Sequence, residues 1–256
     1  MGESSDVAVS IITPTYNAAK FIVETIGSVK EQTFTNWEMI IVDDCSLDNT
    51  VDIVKKEIES DSRIKLIELK RNSGPARARN QAIAAAKGDF LAFLDSDDLW
   101  LPKKLEMQLL FMVKNNLAFS YTDYRIMTED GAKTDIVFKV PSKLGYKTLL
   151  KNTMIGTLTV MLDKRKVGMV QMPLNRDCSE DFGLWLSILS RGIHAYGLNE
   201  ELAIYRKSEN SLSSNKFKSA KKTWNTYRKV EKINLTSSLW YFANYSINAL
   251  RKHSRA

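Results

Sequence analysis

Residues Gly88–Pro102 read GDFLAFLDSDDLWLP. The apolar run Phe90–Leu94 ends in three carboxylates, Asp95, Asp97 and Asp98, and Trp100 and Pro102 then restart the chain as a helix. A short apolar run bounded by Gly and Asp reads as a fully buried strand. Open α/β sheets hold their ligands at the C-terminal ends of such strands. Three acids in one place repel one another, so a cation is expected beside them. An oxygen-ligated divalent metal carrying a phosphate substrate answers that need. The same residues also read as an Asp-rich turn capping the next helix.

Upstream, the pattern of apolar run, polar end and helix repeats. Ala8–Ile12 meets TPTYN and a helix with Phe21, Ile22, Ile26 and Val29 inside; Met39–Val42 ends in Asp43-Asp44-Cys45-Ser46 before a helix over 50–60. Ile64–Leu69 gives a third strand, and Asn72-Ser73-Gly74-Pro75 opens an Ala-rich helix through Ala86. Strands alternating with helices of this length predict crossover units and an α/β, mainly parallel sheet flanked by helices. Their polar ends converge on one edge, where a nucleotide-sized ligand fits.

Downstream, the pattern predicts a helix to about Asn115, a strand at Ala118–Tyr121, a hairpin joining Tyr124–Met127 to Ile136–Val140, and a further strand at Thr157–Leu162. Pro173–Ser179 reads as a loop, Glu180 begins an amphipathic helix to Arg191, and Leu202–Arg206 is a late strand. Two helical patterns close the chain, around Phe217–Tyr227 and Leu239–Leu250.

At 256 residues, with 44% hydrophobic and 26% charged residues, the composition is that of a soluble globular chain. Cys45 and Cys178 lie far apart with no metal-ligand spacing, which argues against a disulfide framework or zinc site and for a reducing compartment. MGESSDVAVS lacks a signal peptide's basic and apolar regions, and no apolar run approaches a membrane span. Ten of the 37 basic residues but only one of the 30 acidic ones fall in 214–256, so that tail carries +9 and residues 1–213 carry −2. This speaks against a nucleic-acid-binding body and for a tail that meets an anionic surface.

Three segments together resemble the family 2 glycosyltransferases of GT-A fold: VSIITPTYNAAKFIVETIGSVKEQTFTNWEMIIVDDCSLDNT, NSGPARARNQAIAAAKGDFLAFLDSDDLWLPKKLE and SEDFGLWLSILSRG, with AIYRKSENSLS a weaker fourth. Similarity is greatest to bacterial enzymes building O-antigen, capsule and teichuronic-type polysaccharides. The resemblance implies an inverting, metal-dependent hexosyl- or N-acetylhexosaminyltransferase using Mn²⁺ or Mg²⁺. Its donor would be a nucleotide-sugar, UDP-linked, and its acceptor a saccharide or lipid-linked saccharide, at the cytoplasmic face of the membrane. It also implies a GT-A domain over 1–213, with a nucleotide-binding half at about 7–100 and an acceptor half at about 101–213; the basic, aromatic-rich helical tail over 214–256 lies outside the shared pattern.

Residue by residue, the resemblance puts Pro14 and Tyr16 beside the base and has Asp44 accept the uracil N3 hydrogen. Asp43 or Asp44 could equally cap the helix that follows. Arg79 approaches the nucleotide, where a guanidinium offsets phosphate charge or meets the base, while Arg77 reads as solvated. Asp97 ligates the metal, Asp95 binds the ribose or the metal's waters, and Asp98 meets the sugar hydroxyls or the metal's surroundings. Trp100 and Leu101 read as packing or as a sugar-stacking rim. Asp181 is the base that takes the acceptor proton; physical reasoning alone does not prefer it to Glu180, since Ser179-Glu180-Asp181 also reads as a helix cap. Arg206 and the Ser211–Ser213 loop resemble the family's late segment, which closes over the diphosphate.

The tail mixes its cations with Trp224, Tyr227, Trp240, Tyr241, Phe242 and Tyr245. It reads either as an interfacial anchor on anionic lipid or as two helices packed on the domain. Two other functions fit parts of the pattern. A sugar nucleotidyltransferase would carry a Gly-rich loop after the first strand, where TPTYNAAK has no Gly. A non-catalytic nucleotide-sugar-binding protein would need no Glu180-Asp181 pair.

Overall fold

The computed structural model describes residues 8–208 and 216–253. The apolar runs become the parallel strands β1 (Val9–Thr15), β2 (Trp37–Asp43) and β3 (Ile64–Glu68), separated by helices α1 (Ile22–Lys30) and α2 (Thr50–Ser60). Helix α3 (Pro75–Ala85) leads to β4 (Phe90–Phe93). Val9 lies opposite both Trp37 and Phe90, so β2, β1 and β4 are neighbours and their C-terminal ends share one edge. At the opposite edge Gly88 lets the chain enter the N-terminal end of β4, because a Cβ would sit 2.7 Å from the Ser10 backbone nitrogen.

The acid cluster runs first into the short strand β5 (Leu99–Trp100), and only then into α4 (Lys104–Lys114). Where two strands are expected at 118–127, one strand β6 (Phe119–Thr128) runs through both, and its second half pairs with β7 (Lys133–Phe138) in the anticipated hairpin. Strand β8 (Lys143–Leu144) and helix α5 (Tyr146–Lys151) follow. The strand expected at 157–162 is a 3₁₀ turn, Thr157–Thr159, and then β9 (Met161–Asp163). Helix α6 (Lys164–Val167), helix α7 (Glu180–Leu189) and strand β10 (Ala195–Lys207) complete the body.

The sheet order is β3-β2-β1-β4-β9-β6-β10-β5. β9 runs antiparallel to β4 and to β6, so it separates the parallel β3-β2-β1-β4 half of the sheet from the parallel β6–β10 pair. One core, with Ile22, Ile26, Val54 and Leu105, fills the face under α1, α2 and α4; the other, with Ala78, Ala82, Phe182 and Trp185, lies under α3 and α7. Trp185 joins α7 to the sheet, its ring 5.3 Å from those of Phe93 and of Phe119.

The tail forms α8 (Lys216–Asn225), a π-helical turn Thr226–Val230, and α9 (Leu235–His253). It packs on the body. Tyr227 is fully buried and its hydroxyl donates to Leu150 O at 2.6 Å, while Asn248 Nδ2 donates to Lys151 O at 3.1 Å. Leu235, Leu239, Trp240 and Ile247 of α9 remain exposed. No helix among the described residues is long and apolar enough to cross a membrane.

Lys104 is fully buried, its ammonium 3.7 Å over the Trp100 ring centroid and without a hydrogen-bond partner. Burial pushes it well below the usual lysine range. The unfolded chain therefore holds that proton more tightly, and the resulting cost is felt at neutral pH and fades as pH rises towards the free lysine value. Lys104→Met is expected to raise Tm at pH 7 by a few degrees, about 1 kcal/mol being worth about 2–4 °C at this size, with a smaller gain near pH 10. Calorimetry at the two pH values checks this, and a lower Tm at pH 7 contradicts it.

Candidate active site

The loops after β1 and β2 are joined at the shared sheet edge. Asn17 N–H donates to Ser46 Oγ at 2.9 Å, Leu47 N–H to Asn17 Oδ1 at 2.8 Å and Ala18 N–H to Thr50 Oγ1 at 2.8 Å. Pro14 lies buried in β1 opposite Val42, and Tyr16 is exposed beyond the strand's end. Between them, the buried Thr15 hydroxyl has no partner.

Neither Asp43 nor Asp44 caps α2. Asp43 accepts the Ser46 N–H at 2.8 Å and the Ser46 hydroxyl, while Asp48 accepts the Thr50 N–H at the helix start. The buried Asp44 carboxylate accepts the N–H groups of Ser73 and Gly74, each at 2.7 Å. Gly74 adopts φ 89°, which side chains disfavour, and this bend aims α3 at the sheet edge. Two of the carboxylate's roughly four acceptor sites are thereby used.

Helix α3 delivers Arg79, 5% exposed, into the site. Its guanidinium donates to Asp95 Oδ1 at 2.5 Å and to Glu180 Oε1 at 3.1 Å. Burial works against its charge, but Asp95 and Glu180 outweigh burial and raise its pKa. Arg77 is exposed, as expected.

The three acids after β4 have three different environments. Asp95 holds Arg79. Asp98 is buried and accepts the Arg206 N–H at 2.9 Å, and burial followed by Asp97 and Asp95 raises its pKa well above the carboxylate range. Asp97, half-buried, receives no side-chain hydrogen bond and makes no ion pair among the described residues, and burial followed by Asp95 pushes it up to about 6. An uncompensated carboxylate beside two others has the donor chemistry of a hard divalent cation. No group of three or more His, Cys, Asp or Glu among the described residues could enclose a metal.

Arg206 is almost fully buried in β10, and its guanidinium is spread over protein acceptors: Asp97 O at 2.9 Å, Glu129 O at 3.2 Å and Glu24 Oε2 at 2.6 Å. Trp100 is also buried, its indole N–H donating to Leu158 O at 2.8 Å, so it packs rather than rims the site. The Ser211–Ser213 loop lies outside the described residues.

At the start of α7, Glu180 is tied to Arg79, whereas the half-buried Asp181 accepts hydrogen bonds from Thr157 Oγ1 at 2.8 Å and Phe182 N–H at 2.6 Å. Ser179 makes no side-chain cap. Burial and then Glu180 raise the Asp181 pKa, opposed by Arg79 and Thr157. Upward displacement makes a carboxylate a better proton acceptor. Thr157 had no signal in the sequence, since it sits in a segment that reads as strand. Arg79 thus joins Asp95 to Glu180, with Asp97 and Asp181 close enough to feel its charge, while Asp44 reaches them through the Ser73-Gly74 bend.

The profile described as Glycosyl transferase family 2 matches residues 10–167. The putative teichuronic acid biosynthesis glycosyltransferase TuaG of Bacillus subtilis is 49% identical over 244 residues, covering 95% of this chain and 96% of that protein. The Escherichia coli UDP-Glc:alpha-D-GlcNAc-diphosphoundecaprenol beta-1,3-glucosyltransferase WfgD is 43% identical, covering 97% and 96%. Among solved structures, S. aureus TarS 1-349 in complex with UDP-GlcNAc superposes with a TM-score of 0.73 at 21% identity, over 93% of this chain and 71% of that one. The Pyrobaculum calidifontis mannosyltransferase PcManGT in complex with GDP-Man and Mn²⁺ gives 0.70 at 17% identity, over 99% and 79%.

The raised pKa of Asp97 has a consequence for stability. The folded chain binds that proton more tightly than the unfolded chain, whose Asp titrates near 3.9, so ionisation costs nothing well below pH 4 and its full amount above about pH 6. Asp97→Asn, without nucleotide or metal, is expected to be stabilised at pH 7.5 by on the order of 2 kcal/mol and to match the native chain near pH 4. Urea unfolding at both pH values measures this; an equal difference at the two removes the assignment.

Proposed function

The chain belongs to glycosyl transferase family 2 and is a glycosyltransferase, and from that premise we propose that it transfers a hexose from a UDP-sugar, with inversion, to a hydroxyl of a lipid-linked saccharide in bacterial surface polysaccharide synthesis. What carries this is the Arg79 guanidinium, which ties the acid cluster after β4 to the Glu180-Asp181 pair, so that a nucleotide-side and an acceptor-side carboxylate share one site. The similarity to WfgD, named as a UDP-Glc:alpha-D-GlcNAc-diphosphoundecaprenol glucosyltransferase, supports the choice of UDP-glucose as donor and a diphosphate-linked N-acetylglucosamine as acceptor.

The nucleoside would lie along the joined loops after β1 and β2, between Pro14 and Tyr16 and the free acceptor sites of Asp44. Asp97, with Asp95 beside it, would hold Mn²⁺ or Mg²⁺. When bound, such an ion supplies Lewis-acid neutralisation of the diphosphate. Arg79 holds Asp95 in place, and Asp98 with Arg206 holds the loop that presents Asp97. Asp181, oriented by Thr157, takes the proton of the attacking hydroxyl as its oxygen bonds to the anomeric carbon. The bond from that carbon to the diphosphate breaks, and its electron pair leaves with the nucleoside diphosphate. Attack from the face opposite the leaving group inverts the centre.

Asp181→Asn is expected to lower acceptor-dependent transfer by at least about 100-fold while leaving UDP affinity intact, and Asp97→Ala to abolish the metal dependence of UDP binding. Titration calorimetry with UDP and Mn²⁺, alongside product assays with UDP-glucose, separates an enzyme from a nucleotide-sugar-binding protein. Near-normal turnover by Asp181→Asn removes the base assignment.

The tail's +9 charge and the exposed Leu235, Leu239, Trp240 and Ile247 of α9 support peripheral contact with an anionic bilayer. Because Tyr227 is part of the core, point changes test this better than deletion. Leu239→Ser with Trp240→Ser is expected to weaken binding to phosphatidylglycerol-containing vesicles about tenfold or more, from the loss of apolar insertion. Unchanged co-sedimentation refutes the contact.

A further inference from the structure

A cavity of about 310 Å³ opens between the start of α7 and the tail helices. Glu180 and Asp181 line it from α7, Ser219, Lys222 and Thr223 from α8, and Tyr245 from α9. Asp44, Arg79, Asp95 and Asp97 do not line it. It therefore reaches Asp181 without passing through the groups assigned to the nucleotide, which is the relation an acceptor site must have to a donor site.

Its electrostatics are uneven. Among the described residues Lys222 is the only cation on the lining; it is half-buried, and its ammonium makes no hydrogen bond or ion pair there. Glu180 is already matched by Arg79, but Asp181 is not ion-paired. A partly desolvated ammonium without a counterion favours an anionic guest, whereas two carboxylates alone would repel one.

The distance from Lys222 to Asp181 is set by a short relay. The Thr226 hydroxyl donates to Lys222 O at 2.9 Å and accepts the Ser179 N–H at 3.0 Å. Ser179 immediately precedes the Glu180-Asp181 pair. Asn225 Nδ2 also donates to Asp177 O at 3.0 Å, and Lys229 pairs with Asp177 at 3.1 Å, so three contacts clamp the end of α8 to the turn that begins α7. The π-helical turn at 226–230 follows directly, and such turns recur at functional sites.

We propose that this cavity is the acceptor subsite and that Lys222 binds the phosphate or diphosphate on the acceptor's reducing end while Asp181 receives its hydroxyl. The subsite deepens the reading of Asp181 as base and rests on it for the acceptor's orientation. It makes α8 part of the binding site, and it selects acceptors that carry a phosphate over neutral saccharides of the same sugar.

The test titrates a medium-chain alkyl diphosphate into the full chain saturated with UDP, with Mn²⁺ at equal concentration in cell and syringe, beside a neutral alkyl glucoside of the same chain length. Saturating UDP occupies the donor's own diphosphate site. The native chain should bind the diphosphate more tightly than the glucoside. Lys222→Ala should lose at least about tenfold of that affinity, about 1.4 kcal/mol, and Lys222→Arg should retain most of it, with glucoside affinity and Tm unchanged in both. Equal diphosphate binding by Lys222→Ala, or no preference for diphosphate in the native chain, overturns the subsite. Asp181→Asn should keep the diphosphate affinity, so loss of the base assignment and loss of the Lys222 subsite are separate results.

Discussion

One buried guanidinium fixes the relation between the two halves of the site. Arg79 comes from α3, Asp95 from the end of β4 and Glu180 from the start of α7, and they meet only because the sheet edge and both helix starts converge there. Taking a charge out of water is tolerable when it is well paired, and removing one member of such a set typically costs about 3–5 kcal/mol. Here two carboxylates depend on the same cation. Its buried Nε has no partner of its own, so the pairing rests on the two terminal nitrogens. The position of Arg79 in turn depends on the bend at Gly74, and that bend on Asp44. A carboxylate at the end of β2 thus positions, through one helix, the cation that pairs carboxylates at the ends of two other elements.

A second constraint explains why three adjacent acids are not interchangeable. Asp98 is turned inward to the Arg206 N–H, and the Arg206 side chain returns to the Asp97 carbonyl and to Glu24 of α1. β10 is thereby pinned to the acid-rich loop. Thr25 reinforces this from α1, its hydroxyl donating to Asp98 O at 3.0 Å. With Asp95 and Asp98 both committed, Asp97 alone keeps an unpartnered carboxylate. Its raised pKa follows from that arrangement: it is partly desolvated, next to Asp95, and has no cation of its own.

The parallel half of the sheet before residue 100 is legible in the sequence because each buried parallel strand is a local apolar run with a polar end, and each crossover helix has its own period. The strands at β1, β2 and β4 and the helix over 50–60 follow directly from those runs. Beyond residue 100 the signals fail for identifiable reasons. β6 continues through polar residues because both its edges are covered by other strands, and β9 is a three-residue strand whose position depends on β4 and β6 rather than on its own pattern. Arg206 in a YR pair reads like a phosphate contact, but its acceptors lie 77 to 182 residues away. Asp44 shows the same limit: an Asp at a strand end reads as a cap or a ligand, and nothing local says that its carboxylate meets amides 29 and 30 residues on.

This asymmetry has a physical origin. The proposed donor side is built where consecutive strands end, so its residues fall at regular points in the chain and leave a pattern. The proposed acceptor side is built where α5, α7 and the tail meet, and its lining runs from Tyr124 to Tyr245. No local period marks such a site, since what brings Lys222 beside Asp181 is a threonine hydroxyl and the burial of Tyr227. The basic tail, which composition alone sets apart from an acidic body, is therefore held by the body's core on one side and leaves Leu235, Leu239, Trp240 and Ile247 exposed on the other. Under the proposed subsite, an acceptor that carries both a phosphate and a lipid would engage Lys222 and those apolar residues, and a single tail would be both part of the site and a means of holding it at a surface.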